Sequence, residues 1–190
     1  MKTWLFNPFK YLAGNKALWL GIVAIAITGM VCLAEKLHMD GVIDIHGPKE
    51  TPTYFYFTEP VIDWLCLVIP LYIFGRILSV SAIRFIDVAG TGALARYPMF
   101  FVVLLTMLMP KQIYDPKYLM NAIQTNPALL AQVVMVAFLI IPFVVWTVAL
   151  MYNAYSISTN LKGQKATWSF VVSILIAEVI SKAIIAVLIK

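Results

Sequence analysis

The chain is poor in charge. Of its 190 residues only 12% are Asp, Glu, Lys or Arg, about half the share of an ordinary soluble domain, which is near 25%. Histidine and cysteine are scarcer still, two of each. The phosphate loop GxxxxGK[ST], the GxSxG elbow, HExxH and CxxC are all absent. Each shortage excludes something. With both histidines in one loop, a Ser–His–Asp triad would need an implausible arrangement. Cys32 and Cys66 lie in apolar runs with no Cys or His at ligand spacing, and read as buried thiols. Gly90-Thr91-Gly92 follows no strand and is a loop or helix-start signal, not a nucleotide fingerprint.

What is abundant is apolar. Hydrophobic residues make up 62% of the chain and the mean hydropathy is +0.90. A small domain has too much surface for its volume to hide that excess from water. The bilayer is the expected solvent, and a soluble enzyme, a nucleic-acid reader and a disordered tail are poor readings. The net charge of +5 reads as positive flanks of membrane spans rather than a nucleic-acid surface.

The expected fold class is all-α: one polytopic membrane helical bundle with five transmembrane helices, at about 17–34, 60–83, 92–109, 127–155 and 167–189. Each is near the ~20 residues that cross ~30 Å of hydrocarbon. None shows the ten-residue alternation of a membrane barrel strand. The third has a short charge-free core; Val88–Ala95 extends it and Arg96, near its start, is expected to snorkel. Asn126 and Pro127 mark the start of the fourth. The first span is read as an anchor rather than a cleaved signal peptide. Pro70 and Pro142 fall inside spans, where membrane helices tolerate a kink, and Ala24 with Thr28 offers a small-residue contact face. Tyr54-Phe55-Tyr56-Phe57 looks like an interfacial belt before the second span.

Five spans put alternate loops on the same side. One set carries Lys2, Lys10, Lys16, Arg84, Arg96, Lys162 and Lys165; the other carries Lys36, Lys49, Lys111, Lys117 and Lys190. The positive-inside rule then places the N-terminus inside and the C-terminus outside.

Charges within spans are costly, at least ~2.5–3.5 kcal/mol each on insertion scales, and are rarely idle. Glu178 and Lys182 stand at i and i+4 on one helical face. By depth, Arg76 can reach Glu178, and Asp63 lies near the level of Lys182. The expected site is therefore an intramembrane polar network of Asp63, Arg76, Glu178 and Lys182. It serves either as an ion, substrate or proton route, or as neutralised pairs that lock two helices. A second motif runs from His38 to His46, H-x-D-x3-D-x-H, in the first outer loop. A turn at Asp40-Gly41 would bring Asp40, Asp44 and His46 together, a set of ligand types suited to a divalent metal. Its bland alternative is an exposed loop whose Asp residues hold turns.

Several patches resemble bacterial Yip1-domain membrane proteins. They are Asn7-Pro8-Phe9-Lys10, Asp40-Gly41-Val42-Ile43-Asp44-Ile45-His46, Asp87 to Gly92 followed by Arg96-Tyr97-Pro98, Asn153 to Gly163, and Glu178 to Lys182. The resemblance implies a five-span protein of the bacterial cytoplasmic (inner) membrane. Eukaryotic relatives bind small GTPases of the Rab class and shape or traffic membranes; this chain lacks their long soluble N-terminal region and their Asp-Leu-Tyr-Gly-Pro type motif. The expected function is non-enzymatic, in membrane organisation or partner binding, without a cofactor. Expected partners are the lipid bilayer and a protein or second copy, with no nucleic acid. A small transporter or channel using the charged network is the alternative. A membrane protein with a metal at Asp40, Asp44 and His46 is the weaker one.

Overall fold

A computed structural model describes residues 2–48 and 51–188. Lys49, Glu50, Ile189 and Lys190, which entered the span and loop assignments, lie outside the described residues. The chain is an all-α bundle. Its helices are α1 (Lys2–Phe6), α2 (Gly14–Glu35), α3 (Phe55–Leu78), α4 (Phe85–Leu94), α5 (Met99–Thr106), α6 (Pro116–Thr125), α7 (Pro127–Thr159) and α8 (Gly163–Leu188). Five segments are long and apolar enough to cross a membrane: α2, α3, α4 with α5, α7 and α8.

The second span begins at Phe55 rather than Pro60, so the aromatic run Phe55–Phe57 forms its first turn instead of a belt ahead of it. It ends at Leu78 because Ser79 takes its hydroxyl elsewhere. Ser79 Oγ donates to the Thr159 carbonyl at 2.7 Å and accepts from Ser81 N–H at 3.1 Å, a local bond that competes with helix continuation. Asn126 caps α7, its Oδ1 accepting from Leu129 N–H at 3.1 Å.

The third span corrects the expectation most. It starts at Phe85, not Gly92, and is broken between α4 and α5. Pro98 has no N–H and disfavours helix at Tyr97. The chain crosses the break on i→i−3 bonds, Arg96 to Ala93 and Tyr97 to Leu94, both 3.2 Å. This span is also the central one: 72% of its apolar window is buried, against 17–33% for the other four. Arg96 therefore sits at mid-span, 3% exposed, and does not snorkel.

Packing follows residue size. α2 packs chiefly on α4, with Gly21 and Gly90 at the closest approach. A Cβ on Gly90 would lie 2.4 Å from the Gly14 carbonyl oxygen, so only glycine fits there. α3 packs chiefly on α8, whose Ala166, Ser169, Ser173, Ala177 and Ser181 form a buried small-residue stripe. α7 closes the bundle against α4 and α5.

Candidate functional site

The site begins where α2 ends. Lys36 takes a left-handed turn, φ 58°, and sends the chain back over the bundle. His38 and His46 pair through their backbones, N–H to O at 3.1 and 2.8 Å, so the near-symmetric motif closes on itself as a loop. Its apolar residues point inward: Leu37, Met39 and Val42 are all buried.

Beneath the loop, α3 presents Glu59 and Asp63 four residues apart on one face, both fully buried. Glu59 Oε1 lies 2.8 Å from His38 Nδ1, and Glu59 Oε2 accepts the Met39 N–H at 3.2 Å. Asp63 faces Arg96, with Nη2 and Oδ2 3.5 Å apart. Neither Asp63 oxygen makes a hydrogen bond among the described residues.

Val42 is the junction. Its carbonyl accepts from Arg96 Nη1 at 2.9 Å, and its N–H donates to Glu178 Oε2 at 2.8 Å. One peptide-bearing residue of the loop thus satisfies a guanidinium from the broken central span and a carboxylate from α8. Gly41 lets Glu178 come close, since a Cβ there would lie 2.4 Å from Glu178 Oε1 and would push that carboxylate aside. Lys182 finishes the cluster, 3.0 Å from Glu178 and 2.7 Å from Asp44.

Of the four network residues expected from sequence, Glu178 and Lys182 meet, and Asp63 joins the same cluster through Arg96 and Val42. Arg76 stands apart. It is exposed, and its Nη1 donates to the Ile83 carbonyl at 3.5 Å. The reason is rotation. Thirteen residues separate it from Asp63, about 220° around a helix, so the two point to opposite sides of α3. Sequence reasoning missed Arg96, Glu59, His38 and the Val42 backbone as members.

The loop motif does gather Asp40, Asp44 and His46, with one donor atom from each lying within 4.8 Å of the others. These atoms also engage one another and their neighbours: His46 Nδ1 lies 2.5 Å from Asp40 Oδ1, while Asp44 receives Lys182 and the Ile45 N–H. Partial burial pushes the Asp44 carboxyl up, but the Lys182 hydrogen bond, with the charges of His46 and Lys182, outweighs it and holds Asp44 below the usual carboxylate range.

Fold and site define a polytopic helical membrane protein with a charge-clamped loop. The chain matches no protein-family model, no curated protein and no solved structure.

Proposed function

We propose that the protein is a non-enzymatic scaffold of the bacterial cytoplasmic membrane, of the Yip1-domain kind, with its N-terminus inside. It acts through contacts with a protein partner or a second copy and contributes to membrane organisation. The observation that carries this reading is the double engagement of Val42 by Arg96 and Glu178. Intramembrane charges that bind a loop's main chain hold a surface in shape, which is the task of an interaction protein. Buried ionic groups serve specificity of structure in this way in some systems.

A second reading is a small transporter or channel. It is favoured by Asp63, a fully buried carboxyl beside Arg96 whose oxygens accept no hydrogen bond from the described residues, since intramembrane acids often mark ion or proton routes. Reconstitution decides between them. The scaffold reading expects proteoliposomes to pass protons and potassium no faster than protein-free vesicles. Flux above that background, abolished by Asp63→Asn in a folded variant, would replace it with the transporter reading.

A further inference from the structure

An apolar groove of about 500 Å³ opens sideways between α3 and α8 at the end of the bundle nearest the N-terminus. Its volume lies within the ~300–1,000 Å³ of ordinary ligand clefts. Phe74, Ile77, Trp168 and Val172 form its walls, and Gln164 with Lys165 stands at its mouth. Trp168 is 69% exposed one turn deeper than Lys165, the level at which indoles sit between headgroups and tails.

The mouth is cationic. Lys165 lines it, and Lys162 precedes it in the turn before α8. Both are exposed, and neither makes an ion pair among the described residues. α8 also starts here, so the positive end of its dipole faces the same place. Two other grooves act as an internal comparison. One of about 630 Å³ lies between α7 and α8, and one of about 460 Å³ lies at the opposite end, beside Tyr54 and Leu188; neither has a charged lining residue. An apolar slot with lysines at its mouth complements a lipid chain carrying a phosphate.

We propose that this groove binds an anionic phospholipid of the leaflet on the N-terminal side. One acyl chain lies between α3 and α8, and its phosphate is met by Lys162 and Lys165. The site rests on the membrane-spanning fold and holds for either reading of function.

Native mass spectrometry of the detergent-released full chain tests this, using phosphatidylglycerol and phosphatidylcholine of matched chains. Phosphatidylglycerol should be retained preferentially, the preference falling about fivefold for each cation removed. In Lys162→Gln/Lys165→Gln it should disappear with the melting temperature unchanged, while Arg76→Gln and Lys111→Gln/Lys117→Gln should each keep it. Equal retention of both lipids, a preference that survives the double variant, or a dimer that excludes lipid from this face would each overturn the proposal.

Discussion

The backbone N–H of Val42 donates to Glu178 Oε2 at 2.8 Å, joining the first loop to the last helix across 136 residues of chain. A hydrogen bond to a charged group contributes about 1.5–3 kcal/mol. Val42→Pro removes this donor and keeps an apolar side chain. It should lower the stability of the detergent-solubilised protein by about that amount and open the loop. Hydrogen exchange of residues 38–46 is the direct readout; unchanged protection would show that the bond does not hold the loop.

Asp63 and Arg96 should behave as a buried pair. Removing one partner from such a pair costs about 3–5 kcal/mol, whereas replacing both with apolar residues is often neutral. Arg96→Met alone should therefore destabilise strongly, and Asp63→Leu/Arg96→Met should recover much of the loss. A double variant no more stable than the worse single would reject the pairing. Thermal melting in detergent measures all three.

Much of this site could be read from the sequence, and the failures have identifiable causes. Glu178 and Lys182 were legible because i,i+4 spacing fixes a face. Arg76 was misplaced because depth in the membrane was matched and rotation was not. Arg96 falls near the start of the span expected at 92–109, whereas the helix begins at Phe85 and puts it mid-span. The breaker Tyr97-Pro98 just after it was the better signal. Glu59 stands four residues before Asp63 but falls just outside the span expected from Pro60, which leaves out its place on the same face. The role of Val42 was invisible, because a main-chain bond carries no residue signature.

The Asp44 carboxyl is held below its ordinary range. A depressed carboxylate contributes stability above the unfolded value, near pH 3.9, and loses it as pH falls through the folded value. The Asp44–Lys182 bond should thus be intact at neutral pH and weaken only under acid, below about pH 4. Lys182→Met should reduce that dependence, leaving the share held by His46 and the Ile45 N–H. Exchange of the Ile45 amide between pH 7 and pH 3 follows it.

Gly90→Ala would place a methyl 2.4 Å from the Gly14 carbonyl oxygen and 2.9 Å from the Leu18 nitrogen. Backbone cannot move aside cheaply, so overpacking of about 1–3 kcal/mol is expected. Gly92→Ala meets a Val68 methyl at 3.1 Å and should cost less. Equal melting temperatures for the two variants would contradict the close α2–α4 approach.

The Asp40, Asp44 and His46 cluster is expected to be held by its own hydrogen bonds rather than by a metal. Elemental analysis of purified protein should find no stoichiometric zinc, and chelation should leave the melting temperature unchanged. Zinc at one equivalent, lost in His46→Ala, would establish the opposite.

The 136-residue separation of Val42 and Glu178 also sets a schedule for biogenesis. At about 5–20 residues per second, a ribosome needs roughly 7–27 s to travel from one to the other. Through that interval the Val42 amide waits for its carboxylate, while Glu59 and Arg96, made earlier, already engage the loop at His38, Met39 and the Val42 carbonyl. The anchor on α8 is therefore the last of the loop's clamps to form, and a chain arrested before α8 holds the loop by only part of its contacts.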